Sequence, residues 1–220
     1  MAQTPKHKLM LQAPGGETRV LLHTCCAPCS SAIVECMMQQ GFTPVIFYSN
    51  SNIFPLDEYR HRKDECARYA EKLGLEMVED EYAHEDWRCI AKGLENEPER
   101  GARCLECFKY RLRRAARYAA DNGYKVLTTT LASSRWKSLE QINEAGAWAC
   151  EGLPVTWWDQ NWRKGGLQDR RNQIIREMDF YNQLYCGCEY SLRNSSSEGV
   201  NYPKAKDFWA SGFAGGCLPK

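Results

Sequence analysis

The chain of 220 residues is long enough for one sizeable domain and too short for two. Its 43 % hydrophobic and 26 % charged content is ordinary for a soluble globular protein, and a formal charge of +1 argues against a generally cationic nucleic-acid binder, though not against a local basic patch. No apolar run has signal-peptide length at the start or approaches the about 20 residues of a membrane helix later, so a cytoplasmic protein is expected.

In chain order, "TRVLLHTCC" is a short run rich in strand formers, and "SSAIVECMMQQG" reads as a helix ended by Gly41. "PVIFYSN" predicts a second buried strand. "PLDEYRHRKDECARYAEKLG" predicts a long helix with Pro55 near its start and Gly74 past its end. "LEMVED" is a weaker strand, followed by a helical stretch over residues 84–94. "CLECFKYRLRRAARYAADNG" is a strong helix, "KVLTTTL" a strand and "SLEQINEAGAWACEG" a helix. "LPVTWWDQN" then predicts a strand, and "LQDRRNQIIREMDFYNQLY" a final helix to residue 185.

Strands alternating with helices imply right-handed crossovers and a mostly parallel sheet with helices on both faces, a Rossmann-like α/β fold of the adenine-nucleotide-hydrolase kind. Residues 1–17 are expected to form an N-terminal extension and 18–193 the α/β domain. Residues 194–220, which begin with the linker-like "NSSSEG", are expected to be a tail packed back on the domain through Tyr202, Phe208, Trp209 and Phe213.

Twelve cysteines in a reducing compartment point to metal binding or redox chemistry rather than a disulfide framework. Cys36, Cys66 and Cys150 sit in apolar-periodic stretches and read as small core residues. Cys89 and Cys217 have no assigned part. Cys25 and Cys26 stand at the end of the first strand, where such folds often keep a phosphate loop. Cys104 and Cys107, spaced CxxC, stand at the start of a helix whose dipole favours their thiolates. Together these supply thiolates for one tetrahedral zinc ion or one cubane cluster. Adjacent cysteines suit a single ion poorly, so the spacing favours the cluster over zinc. Cys186 and Cys188 flank Gly187, and a disulfide closing so small a ring is strained and readily reduced. That spacing suits a redox dithiol; further metal ligands or incidental cysteines are the alternatives.

Taken in order, "LLHTCCAPCS", "NSNIFPLDEYRHRKDE", "RCLECFKYRL", "TTTLASSRWK" and "YCGCEYS" resemble the cobalamin-independent epoxyqueuosine reductases, the QueH type. The resemblance implies reduction of the epoxide of epoxyqueuosine at the wobble position of tRNA to queuosine and water, the last step of queuosine biosynthesis. It implies that Cys25, Cys26, Cys104 and Cys107 ligate a 4Fe–4S cluster and that Cys186 and Cys188 form a redox-active disulfide. It also implies one additional iron, for which Cys29 is the candidate ligand. The partners would be the modified tRNA and an electron donor not specified by the sequence. One departure is "SSRWK", where the family pattern has "SPYK".

Candidate substrate contacts are Arg111 and Arg114, with Lys109, Arg113 and Arg117, on the helix after Cys107, where residues 110, 113, 114 and 117 share a face mixing aromatic and cationic groups. A solvated helix face is the plain alternative. Arg135 and Lys137, beside Ser133 and Ser134, sit in a strand-to-helix loop suited to phosphate or to an ordinary cap. Glu58, Tyr59, Arg62 and Glu65 share a helix face that ion pairing explains equally well. His23 could donate a proton, but a histidine late in a buried strand is more often a hydrogen-bonded core residue. The rival functions are an ATP-dependent tRNA sulfur-transfer enzyme, which needs a glycine-rich phosphate loop in place of "HTCCAPCS", and a zinc-stabilised tRNA-binding module.

Overall fold

Five parallel strands form one sheet: β1 (Arg19–His23), β2 (Thr43–Tyr48), β3 (Met77–Glu79), β4 (Val126–Thr129) and β5 (Thr156–Trp157), in the order β3-β2-β1-β4-β5. The computed structural model describes residues 8–181 and 183–194. β1 is central because Val20, Leu21 and Leu22 are apolar in succession and all fully buried, as a strand covered on both faces requires. Leu21 lies opposite Val45 of β2 and Leu127 of β4.

The helices are α1 (Ala27–Gln39), α2 (Leu56–Leu73), α3 (His84–Ala91), α4 (Ala102–Asp121), α5 (Leu139–Cys150), α6 (Leu167–Met178) and α7 (Glu189–Asn194). α1 packs against α2 and α6, and α4 against α3 and α5. The α/β class expected from the sequence is the fold observed. Cys36, Cys66 and Cys150 are buried in its core. Among the described residues no helix is long and apolar enough to cross a membrane.

β2 and β3 extend the sheet on one side of β1, and β4 and β5 on the other. That reversal opens a crevice outside the carboxyl ends of β1 and β4, where His23 stands opposite Thr129. His23 is fully buried, with Nδ1 2.7 Å from Thr129 Oγ1 and Nε2 3.1 Å from the Ser49 carbonyl. Burial, helped by the Arg111 charge, lowers its pKa to about 3. The ring is a neutral core residue.

Three elements depart from expectation. α1 starts earlier, at Ala27, because Pro28 suits a first helical turn, and this makes Cys26 the cap and puts Cys29 inside the helix. β5 pairs only through Thr156 and Trp157. α6 ends at Met178 rather than running to residue 185. There Asp179 turns left-handed with φ 50, and Phe180 N–H bonds the Ile175 carbonyl. Phe180 meets Tyr69 edge-on, and Tyr181 N–H donates to Glu65 Oε1 at 2.9 Å. These long-range partners override helix propensity, and the released chain carries Cys186 and Cys188 to the crevice.

The extension is attached to the core from Leu9 onward: Gln40 donates to the Leu9 carbonyl at 2.8 Å and accepts from Leu11 N–H at 2.9 Å. The tail with Tyr202, Phe208, Trp209 and Phe213 lies outside the described residues, as does Cys217. Cys89 is disulfide-bonded.

Candidate active site

The turn from β1 into α1 gathers three sulfurs. The Sγ atoms of Cys25, Cys26 and Cys29 all lie within 4.8 Å of one another, a group able to hold a metal ion. Cys25 and Cys26 are 3.8 Å apart. Hydrogen bonds with Cys26 and Cys29 draw the Cys25 pKa well below the ordinary thiol value against the opposing effect of burial, and the Lys137 charge helps. Burial pushes Cys26 well up, and the bond to Cys25 pushes Cys29 up to about 11. Sulfurs about 3.8 Å apart are what a tetrahedral ion with metal–sulfur bonds of about 2.3 Å requires. The adjacency of Cys25 and Cys26 is therefore no obstacle to a single ion, contrary to the argument from spacing.

A cavity of about 900 Å³ lies over this turn, lined by Cys25, Cys29, Cys104, Cys107, Cys186 and Cys188. Cys104 and Cys107 project from the first turns of α4, and Arg100 N–H donates to Cys104 Sγ at 3.3 Å. The helix N-terminus was expected to favour their thiolates. Burial wins instead, raising Cys104 to about 11 and Cys107 above the ordinary value despite the nearby Arg111 charge.

Cys186 is exposed and Cys188 half-buried, and both stand as free cysteines, the reduced form of the expected redox pair. Their segment is clamped to α2. Arg62 Nη1 and Nη2 donate to the carbonyls of Cys186 and Tyr185, each at 3.3 Å, while Nε donates to Glu58 Oε1 at 2.7 Å. Both members of that ion pair are buried. Gly187 has φ 119, where a side chain is strained, and an added Cβ would stand 3.1 Å from both Arg62 Nη1 and Ile53 Cγ1. Burial, followed by the charge of Cys186, raises Cys188 to about 12. Arg88 secures α7 through two bonds to Glu189, at 3.0 and 3.2 Å. Gln183 Nε2 donates to Cys26 Sγ at 3.2 Å and Cys29 Sγ at 3.8 Å, so the chain bearing one sulfur group also touches another.

The basic candidates divide. Arg111 is buried in the cavity wall, donating to the Ser49 carbonyl at 3.2 Å and to Asn50 Oδ1. Lys137 also lines the cavity. Burial disfavours its cation, but the sulfurs of Cys186, Cys25 and Cys29 more than offset this and hold its pKa above the usual lysine value. Arg135 is exposed at the rim. Arg114 does not line the cavity; it forms a two-bond pair with Asp80 at 2.5 and 2.7 Å. Arg113 donates to the carbonyls of Ala149 and Glu151, so much of the expected RNA-facing stripe is engaged within the protein. Gln183 and Trp136 were not among the site residues read from the sequence. Gln183 gave no signal; Trp136, an aromatic between two cations in the loop after a strand, did.

Residues 20–194 match the family model described as "Epoxyqueuosine reductase QueH". Proteins bearing that name include one from Histophilus somni, 45 % identical over 89 % of this chain and 81 % of the relative. Another, from Acinetobacter baylyi, is 45 % identical over 87 % of this chain and 88 % of its own length. A third, from Thermotoga maritima, is 32 % identical over 79 % and 90 %. With a thiol-lined cavity at the carboxyl ends of a parallel sheet and a family match spanning most of the chain, this protein belongs to the epoxyqueuosine reductase QueH family of oxidoreductases.

Proposed function

We propose that this chain reduces the epoxide of epoxyqueuosine in tRNA to the alkene of queuosine, with Cys25, Cys26, Cys104 and Cys107 holding a 4Fe–4S cluster and Cys186 and Cys188 acting as a dithiol. The observation that carries the reading is the convergence of cysteines from three separate stretches on one cavity. A sulfur donor set drawn from two elements suits the cluster: Cys25, Cys104 and Cys107 line the cavity of about 900 Å³, Cys26 is buried with its Sγ 3.8 Å from that of Cys25, and Arg111 and Lys137 in the cavity wall oppose negative charge. Cys29, within the same sulfur group as Cys25 and Cys26, supports an additional iron there. When bound, the cluster would supply electrons singly and the iron would act as a Lewis acid toward the epoxide oxygen.

The chain's own groups complete the balance. Removing the epoxide oxygen as water consumes two electrons and two protons, and oxidation of a dithiol to a disulfide releases two of each. Cys188 Sγ, at about 12, retains its proton near neutrality, and exposed Cys186 meets the substrate side. Arg62 fixes this segment through the two carbonyls it binds. Lys137 Nζ keeps its positive charge among the sulfurs and stabilises the oxygen as its bond to carbon breaks.

Cys188→Ser tests the dithiol. Anaerobic turnover of epoxyqueuosine-containing tRNA, followed as queuosine formed per protein, is expected to fall at least about tenfold; each tenfold corresponds to about 1.4 kcal/mol of barrier. Full multiple turnover by this variant would exclude an essential dithiol.

A further inference from the structure

Trp136 is 80 % exposed although it lines the cavity, so its indole is open to a planar partner arriving at the cavity. Its backbone is held firmly. Trp136 N–H donates to Ser134 Oγ at 3.3 Å, and the Arg100 guanidinium donates to the carbonyls of Arg135 and Trp136 at 2.7 and 3.0 Å. Gln141 in turn binds the Arg100 carbonyl at 2.8 Å. An exposed indole on a fixed loop loses little freedom when something stacks on it.

The surroundings are cationic. The Arg163 cation is disfavoured first by burial and then by repulsion from Arg100 and Arg135. None of these guanidinium groups forms an ion pair among the described residues, and the Arg135 side chain has no hydrogen-bond partner there. Glu99 lines the cavity too, but no ion pair joins it to them among the described residues. An indole face beside unneutralised guanidinium groups is the chemistry that holds a nucleobase and its phosphate.

We infer that Trp136 is a stacking platform for an anticodon nucleobase next to the one being reduced, with Arg135 holding the adjoining phosphate. This rests on the reading of the chain as an enzyme acting on tRNA. A protein electron donor is the competing occupant of the rim. Lys137 follows directly in the chain and, like Trp136, lines the cavity that holds the sulfurs.

The test uses full-length, anaerobically prepared protein, epoxyqueuosine-containing tRNA, and dithionite as reductant so that no donor protein takes part. Trp136→Ala is expected to weaken tRNA binding roughly 5- to 150-fold, the range for loss of one stacked base. The loss should fall on KM more than on kcat, and Trp136→Phe should recover most of the affinity. Binding should quench intrinsic fluorescence in the wild type, with that component absent from Trp136→Phe. Arg135→Ala should reduce the salt slope of binding by about one unit. Unchanged tRNA affinity in Trp136→Ala would overturn the inference, as would turnover that is unchanged with dithionite but lost when a cellular extract supplies the electrons in a parallel assay. Wild-type protein that leaves epoxyqueuosine-containing tRNA unreduced would instead overturn the enzymatic reading, and this inference with it.

Discussion

His84 stacks against Phe54, Tyr82 and Trp87, with Nδ1 donating to the Ser51 carbonyl at 2.7 Å. Burial lowers its pKa even though Glu189 Oε1 lies 3.9 Å from Nε2 and favours the cation. The sign follows from proton counts. As pH falls through the ordinary histidine value of about 6.5, the unfolded chain binds a proton that folded His84 refuses, so stability declines toward acid. His23, at about 3, adds to the same trend. The urea midpoint should therefore be lower at about pH 5.5 than at about pH 7.5, and His84→Gln, which keeps a donor for Ser51, should reduce the drop. An equal drop in the variant would show that His84 does not contribute.

Between elements, the decisive link is the one from α2 to the Cys186–Cys188 segment. Arg62 spends its guanidinium on Glu58 and on two carbonyls of that segment. Arg62→Ala would take from buried Glu58 the cation it pairs with, while the Tyr181 hydroxyl at 3.2 Å stays in place. An uncompensated buried charge costs about 3–5 kcal/mol, so urea denaturation should show a loss of that order. Arg62→Lys should lose less, because it keeps the charge. A loss below about 1 kcal/mol in Arg62→Ala would mean that the clamp is not structural. This contact also marks how far elements were legible in the sequence. β1 announced itself because Val20, Leu21 and Leu22 must be covered on both faces, and periodicity located α2 and α4 well. The end of α6 was hidden because Glu65 and Tyr69, more than a hundred residues upstream of Phe180 and Tyr181, terminate it. The stripe around Arg114 was legible as a face, but its partner Asp80 was not.

For the molecule as a whole, strand order does what no local motif can. Placing β1 between β2 and β4 sets the Cys25–Cys26 turn at the mouth of the crevice, and the broken α6 returns Cys186 and Cys188 over it. Each cysteine pair was readable by its spacing; their convergence was not, because crossovers set it, and the family resemblance had to stand in. Cys29, already the candidate ligand for an additional iron, stands beside Cys25 and Cys26 for a local reason, since α1 starts at Ala27 and places it in the first turn. The most direct test is the iron, acid-labile sulfide and zinc content of anaerobically purified protein that is active on epoxyqueuosine-containing tRNA. The account predicts iron with matching sulfide, diminished when Cys104 or Cys107 is changed to serine. Active protein holding zinc on these sulfurs and no labile sulfide would contradict it.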